Sequence, residues 1–420
     1  MNSNVLTTRA LVLSGGAGYG AYQVGAMRAL LQGLSPATGY TPLDPQILQG
    51  TSTGSFNVAV LLSSPQRDPA AAANYLENTW LNDIAGDSSL SGNGVMRFRA
   101  NPAHFLKSAA GAFEAMTQLG LEAVFLAHDW MQRGFKFLNS SIDIEQRLLE
   151  IFDLGSFVSF EPLVNVVNSR IFPSRIQSSG RRIRILATNW RTGELRIFTE
   201  ADMTPEIGHS VILASSALPG VLPTVEIRGE PYADGGIHIG TTLAPAIAAG
   251  ADEIHVMYMD PEASALALPR VRSAVSSIYR TAIIQWAGAM QSEMRRVSDI
   301  NRGIDLRERT MRESGSAEYP SRRQMKSTLS AVGREDCGEP QSGNRRITVH
   351  RYLPHDVSGE AFRWFSFGRE HLARLIRMGF EDTVNHDCAK NKCVVPQAEL
   401  RRRSRELHAQ PQRVGSEIAA

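Results

Sequence analysis

A serine stands between small residues in Gly50-Thr51-Ser52-Thr53-Gly54, at the junction of an apolar segment and a helix-like run. Such a junction fits a nucleophile elbow, in which the flanking glycines let the chain turn sharply and expose the hydroxyl. The same letters also fit an ordinary strand-to-helix turn capped by a serine. The motif therefore makes Ser52 a candidate nucleophile and needs support from other parts of the chain.

A glycine-rich loop, Ser14 to Gly20, follows the first apolar strand and precedes a helix-like run. Unpaired N–H groups at such a helix start favour an anion, which is either a phosphate or an oxyanion. The loop formally satisfies a dinucleotide-binding pattern. That site also wants an acidic residue at the end of the second strand, whereas Asp44 precedes this strand and Gly50 follows it. We therefore predict no cofactor.

An aspartate followed by two glycines, Asp234-Gly235-Gly236, lies far downstream. The glycines leave room for another group to approach the carboxylate closely, as a base for a serine requires. Taken alone, the pattern also fits a simple turn. As a base, Asp234 would receive the proton of Ser52, and it would need burial or hydrogen bonding to raise its basicity.

In this order and spacing the three motifs resemble the patatin-like phospholipase family, as does the phrase Ser215 to Gly220. The resemblance implies an α/β fold of three layers, α/β/α, around a mainly parallel sheet. It implies hydrolysis of a carboxylic ester of a phospholipid or lysophospholipid by a Ser52–Asp234 dyad. The backbone N–H groups of an oxyanion hole would then come from Gly15, Gly16, Ala17 and Gly18.

The chain departs from the family pattern at two places. Ala17 and Tyr19 stand where the family usually has a glycine and an arginine, and no Asn-x-Pro phrase follows Asp234. Neither departure removes the nucleophile or the base. Ala17 and Tyr19 favour a second hypothesis, a catalytically weak lipid-binding or effector protein on the same fold.

A Ser-His-Asp esterase is the alternative enzyme, and it needs a histidine late in the chain. The candidates are His238, His255, His350 and His355. His238 follows Asp234 too closely, and His255 lies within a strand-like segment where a core histidine is the more common case. The sequence therefore favours the dyad.

Composition is that of a globular enzyme, with 420 residues and a net charge of +2 that predicts no nucleic-acid partner. Cys337, Cys388 and Cys393 indicate no disulfide framework. His386-Asp387-Cys388 together with Cys393 offers at best an irregular ligand set for zinc, so we predict no metal.

The first residues lack the charged start and apolar core of a secretory signal, and glycine, proline or serine interrupts both long uncharged stretches. We therefore expect no membrane span and a cytoplasmic protein that touches a membrane surface transiently.

Strand-like segments alternate with helical ones along the chain, which predicts a parallel sheet covered on both faces. Arg191-Thr192-Gly193 predicts a hairpin between the third and fourth strands. The predicted strands are Ala10 to Leu13, Ile47 to Gln49, Arg182 to Thr188, Leu195 to Thr199 and Glu253 to Met259.

We assign residues 8–385 to one acyl hydrolase domain, with insertions at about 81–172 and 305–344, and residues 386–420 to a basic flexible tail. The apolar segment 105–130 within the first insertion fits either core packing or a cap that docks on lipid.

Overall fold

A central sheet of eight strands organises the computed structural model of this protein, which describes residues 7–86, 93–98, 158–219, 221–238, 241–259, 274–314, 345–354 and 365–396. The strands are β1 (Arg9–Leu13), β2 (Ile47–Thr51), β5 (Arg182–Asn189), β6 (Leu195–Phe198), β7 (Val225–Ile227), β8 (Glu230–Asp234), β9 (Glu253–Met257) and β10 (Thr348–Tyr352). A separate antiparallel pair joins β3 (Arg97–Phe98) to β4 (Val158–Ser159).

The sheet runs in the order β10-β9-β1-β2-β5-β8-β7, with β6 also paired to β5. Strands β10, β9, β1, β2 and β5 are parallel, whereas β6, β8 and β7 form the antiparallel part. The predicted mainly parallel sheet and the β5–β6 hairpin are therefore confirmed.

Helices surround this sheet. They are α1 (Gly20–Leu31), α2 (Thr53–Leu62), α3 (Pro69–Asn78), α4 (Glu161–Arg170), α5 (Pro173–Gln177), α6 (Gly208–Ser215), α7 (Ala244–Ala248), α8 (Ala274–Ser314) and α9 (Arg369–Val384). A π-helical segment, Thr79–Ile84, follows α3. No helix in the described part of the chain is both long and apolar enough to cross a membrane.

Alternate residues of the buried strands face two separate apolar cores, as the two-residue period of a strand requires. Leu11 and Leu13 of β1 join the core formed with α1, α2 and α9. Ala10 and Val12 join the other core, with α7 and α8. Both faces are therefore covered, and the predicted three-layer α/β/α fold is confirmed.

The predicted boundaries of the two insertions stay predictions. Helix α8 includes residues 305–314, the first part of the second predicted insertion. In this part Asp305 and Glu308 each accept a hydrogen bond from Arg346 at 2.7 Å. Near the first insertion, Leu163 and Ile171 are buried in the same core as α1.

The first residues of the predicted C-terminal tail, 386–396, belong to the described part of the chain. Val394 exchanges backbone hydrogen bonds with Val349 of the edge strand β10. The apolar segment 105–130 and the rest of the tail lie outside the described residues.

Two glycines allow helices α1 and α9 to approach each other closely. A Cβ at Gly25 would overlap the carbonyl of Ile376, and one at Gly379 would overlap the carbonyl of Tyr22. The Tyr22 hydroxyl also donates a hydrogen bond to Asp382 at 3.1 Å. This contact fixes α1, whose first turn continues the glycine-rich loop.

Gly25→Ala should therefore destabilise the protein, because the new methyl group would force the two helices apart. A cost above about 2 kcal/mol is expected from such overpacking. Gly303→Ala on α8 is the matched control, since a Cβ there meets nothing within 4 Å. The control should stabilise the fold by about 0.5–1 kcal/mol. Chemical denaturation measures both, and equal effects would contradict the described contact.

Candidate active site

Ser52 occupies the sharp turn between β2 and α2. Its backbone has φ 55° and ψ −127°, a conformation that residues with a side chain rarely adopt. The glycines on either side permit the turn. A Cβ at Gly50 would lie 2.6 Å from backbone atoms of Gly54, and a Cβ at Gly54 would lie 2.7 Å from the carbonyl oxygen of Ser14. Larger residues would not fit at either position.

A buried serine holds the backbone of this turn in place. Ser215, at the end of α6, accepts a hydrogen bond from the N–H of Ser52 at 3.1 Å. Its own hydroxyl donates to the carbonyl of Leu186 on β5 at 2.6 Å. The hydroxyl oxygen of Ser55 lies 2.7 Å from Ser215 Oγ. Because Ser215 gives its own proton to Leu186, the Ser55 hydroxyl donates to Ser215. Ser215 appears in the sequence motif, but its role as a bridge between the elbow and the sheet becomes visible only in the structure.

Asp234 stands at the end of β8, and its backbone is held on two sides. Its N–H donates to the carbonyl of Ala217 at 2.9 Å, and its carbonyl accepts from the Thr188 hydroxyl at 2.9 Å. A Cβ at Gly235 would overlap the carbonyl of Leu186. The segment from Ser215 to Ala217 thus anchors both Ser52 and Asp234.

The Asp234 residue is 3 % exposed and shares its pocket with Ser52. The N–H of Gly236 donates to Oδ1 of Asp234 at 2.7 Å. Burial raises the pKa of Asp234 from 3.8 to about 6, and its interactions with the Ser52 hydroxyl and the Gly236 N–H act in the opposite direction. The carboxylate is therefore a stronger base than an exposed aspartate and is still ionised at neutral pH.

The glycine-rich loop lies against the Ser52 hydroxyl. A Cβ added to Gly15 would lie 3.7 Å from Ser52 Oγ. Gly15, Gly16 and Ala17 line the pocket around Ser52, and within the described residues their N–H groups have no hydrogen-bond acceptor. Gly18 is buried and is not among the residues lining that pocket. Three of the four residues predicted to supply donors therefore line the pocket that contains Ser52.

A buried polar network fixes the loop from behind. Gln23 of α1 donates to the carbonyl of Ser14 at 2.8 Å and accepts from the amide of Asn57 at 2.8 Å. Asn57, on α2, accepts from the indole N–H of Trp80 at 2.7 Å. The network connects the loop, the elbow helix and the π-helical segment, so these elements keep a fixed relative position.

The two departures from the family pattern have different surroundings. Ala17 lines the pocket with a left-handed φ of 45°, where a glycine would carry no strain, and it keeps its N–H. Tyr19 is 5 % exposed and packs edge-to-face on His371 of α9, with ring centroids 6.4 Å apart. It fills the core and does not line the pocket.

A pocket opens at Ser52 and Asp234. Its walls are mostly apolar and come from distant segments. They include Phe56, Trp80, Ile84, Val95, Phe160, Leu163, Leu218, Val221, Leu222, Ile237, Trp286, Phe365 and Phe367. Among the described lining residues Asp234 alone carries an ionisable side chain. Sequence motifs do not reveal these walls, because each of the distant segments contributes only one or two ordinary hydrophobic residues.

Trp286 of α8 is the wall residue that also supports the aspartate loop. Its indole N–H donates to the carbonyl of Gly236 at 3.1 Å. The sequence gives no signal for this contact, since Trp286 lies 50 positions beyond Gly236.

The candidate histidines lie elsewhere in the described part of the chain. His238 is exposed and its Nδ1 is 3.0 Å from the carbonyl of Gly193. His255 is buried in β9 against Glu253 and Tyr352, and burial lowers its pKa to about 4. His350 stacks on His255. None of these three lines the pocket, and His355 lies outside the described residues.

Comparison of the sequence with protein-family models identifies the family of this chain. The family model of patatin-like phospholipases matches residues 11–247, which is more than half of the chain. The chain therefore belongs to the patatin-like phospholipase family.

A search of the solved structures matches VipD from Legionella pneumophila at 14% sequence identity and a TM-score of 0.30. The match covers 96% of this chain and 75% of that chain. A search of the curated proteins finds no match.

Backbone strain at Ser52 should be measurable by comparing two substitutions. Ser52→Ala and Ser52→Gly both remove the hydroxyl, but only glycine relieves the left-handed conformation. We expect the glycine variant to be more stable than the alanine variant by about 1 kcal/mol in urea denaturation. An alanine variant at least as stable as the glycine variant would show that the backbone at position 52 is not strained.

Burial of the ionised Asp234 should cost stability. In the folded protein the pKa of Asp234 is about 6, above the ordinary aspartate value of 3.8 that applies to the unfolded chain. Ionisation therefore lowers the stability of the fold progressively as pH rises from about 4 through about 6. Asp234→Asn removes this cost and still accepts from Gly236. At pH 8 we expect this variant to have a higher thermal midpoint than the wild type and a free energy of unfolding that is larger by up to about 3 kcal/mol. At pH 4 we expect no difference between the two proteins. A lower midpoint at pH 8 would contradict the account.

Proposed function

We propose that this protein is a lipid acyl hydrolase that cleaves a carboxylic ester of a phospholipid or lysophospholipid. The observation that carries the proposal is that Ser52, on a strained turn, and the buried Asp234 line the same apolar pocket and interact closely enough to affect the pKa of Asp234. Family membership supports the lipid class, and the site supports the reaction type.

The reaction begins when Ser52 Oγ attacks the ester carbonyl while Asp234 takes the hydroxyl proton. Collapse of the tetrahedral intermediate breaks the bond to the alcohol, which receives that proton from Asp234 as it leaves. Water then gives a proton to the same carboxylate and attacks the acyl-serine. The fatty acid is released, and Ser52 Oγ regains its proton.

Negative charge on the tetrahedral oxygen needs donors that are already in position. Gly15, Gly16 and Ala17 line the pocket that contains Ser52, and their N–H groups are the donors that this proposal assigns. Loss of one such donor in comparable enzymes costs about 3 kcal/mol in the transition state. The replacement of glycine by Ala17 keeps the N–H, so it does not by itself remove a donor.

The chemistry of the pocket supports an acyl chain as the bound group. Aromatic and aliphatic side chains form most of its wall, and burial of methylene groups against them is favourable by about 0.8 kcal/mol per group. The described lining offers no cation for a phosphate. We infer that the head group stays near the mouth, which fits transient contact with a membrane surface.

The dyad is preferred over a Ser-His-Asp triad because none of the three described candidate histidines lines the pocket. A catalytically weak lipid-binding protein remains the second hypothesis, since Ala17 replaces a glycine at a strained position. The two hypotheses differ in whether bound lipid is turned over.

Ser52→Ala and Asp234→Asn should each abolish hydrolysis. Without Ser52 no acyl-enzyme forms, and without Asp234 no base accepts the proton, so we expect rate losses of at least about 1000-fold. The assay incubates the purified protein with mixed micelles of phosphatidylcholine and lysophosphatidylcholine and identifies released fatty acids by mass spectrometry.

His238→Gln is the matched control, because His238 is exposed and follows Asp234 by only four residues. This variant should retain wild-type turnover. A normally folded wild type that binds the micelles without releasing any fatty acid would favour the lipid-binding hypothesis. Retained activity in Ser52→Ala would refute the assignment of the nucleophile.

A further inference from the structure

Two histidines and two cysteines meet at the edge of the sheet, away from the pocket. His350 belongs to β10, and His386 follows directly after α9. Cys388 and Cys393 lie on the segment that then returns to β10, where the N–H and the carbonyl of Val394 both pair with Val349 at 2.8–2.9 Å. The fold therefore brings together side chains from two separate parts of the chain.

The spacing of the four polar atoms matches a metal site. Cys388 Sγ lies 3.5 Å from His350 Nδ1 and 3.6 Å from His386 Nε2, and Cys393 Sγ lies 3.4 Å from the same Nε2. One potential ligand atom from each residue lies within 4.8 Å of all the others. Tetrahedral zinc with ordinary Zn–S and Zn–N bonds places sulfur and nitrogen about 3.6 Å apart.

Each of three ligands also has a neighbour that would orient it. The N–H of Arg351 donates to Cys393 Sγ at 3.2 Å. His386 Nδ1 lies 2.9 Å from the side-chain amide of Asn391, and His350 Nε2 lies 3.9 Å from Glu253 Oε1. A hydrogen bond such as that of Asn391 fixes the ring orientation of a metal-binding histidine, and a nearby carboxylate such as that of Glu253 favours one orientation of the other ring.

The surroundings of Asn391 indicate which ring nitrogen of His386 carries the proton. The residue is 4 % exposed, and its Oδ1 has no hydrogen-bond partner among the described residues. Rotation of the amide by 180° would let the Nδ1–H of His386 donate to that oxygen. Nε2 would then carry a free lone pair directed at the two sulfurs, as a metal ligand requires.

We propose that His350, His386, Cys388 and Cys393 bind one Zn²⁺ ion. Two neutral imidazoles and two thiolates match the preference of zinc for nitrogen and sulfur. Binding releases the two thiol protons and leaves a neutral site, which suits a position with two buried histidines and two half-buried cysteines. The site carries no open position in this arrangement, so the role is structural.

The ion would connect the end of α9 to the edge strand β10. Helix α9 packs on α1, so the site indirectly supports the helix that begins at the glycine-rich loop. Sequence reasoning found His386 and the two cysteines but predicted no metal. It missed His350, which precedes His386 by 36 positions and joins the set only through strand pairing.

The test uses the full chain, purified under reducing conditions, loaded with Zn²⁺ and freed of excess metal. We expect one zinc per chain by elemental analysis. Cys388→Ser and His386→Gln should each retain less than a tenth of it. Cys337→Ser is the matched thiol control and should retain one zinc. Ser52→Ala should also retain one, which separates this proposal from the proposed hydrolysis.

Cobalt substitution tests the wild type without relying on variants that fold poorly. Loading with Co²⁺ should produce visible absorption of tetrahedral cobalt and a near-ultraviolet thiolate charge-transfer band. A zinc chelator should lower the thermal midpoint of the wild type. Reduced wild type that binds no zinc, zinc retained after loss of either named ligand, or a cobalt spectrum without thiolate bands would overturn the proposal.

Discussion

The left-handed backbone of Ser52 is the constraint on which the rest of the site depends. A residue with a side chain holds this conformation only when its surroundings leave no alternative. Here Gly50 and Gly54 pack without room for a Cβ, and Ser215 binds the Ser52 N–H. The sharp turn points the hydroxyl away from the sheet, where the aspartate and the glycine-rich loop can approach it.

A second constraint is the burial of Asp234. An isolated carboxylate in an apolar wall would be costly, so its position depends on the hydrogen bond from Gly236 and on its interaction with the Ser52 hydroxyl. These interactions do not offset burial fully, which leaves the pKa raised to about 6. The same imbalance makes the group a useful base and a source of instability. Stability and the proposed activity are therefore opposed at this residue.

The motifs around Ser52, Asp234 and Gly16 were predictable because each encodes a local backbone requirement. The parallel strands were also predictable, since their apolar runs are continuous. The pocket walls were not, because Trp286 and Phe367 reach the site through tertiary packing alone. The end of α8 was missed because a helix exposed to solvent is polar and resembles a loop in composition. His350 was missed as a ligand because strand pairing, which sequence spacing does not encode, brings it to the cysteines.

The rate at which a lipid-like phosphonate labels Ser52, measured against pH, tests the central claim most directly. If Asp234 activates Ser52, labelling should fall as pH decreases through about 6, where the buried carboxylate becomes protonated. Asp234→Asn should label slowly at every pH. Peptide mapping should place the adduct on Ser52. Labelling of another residue, or a wild-type rate that stays constant between pH 4 and pH 8, would contradict the account.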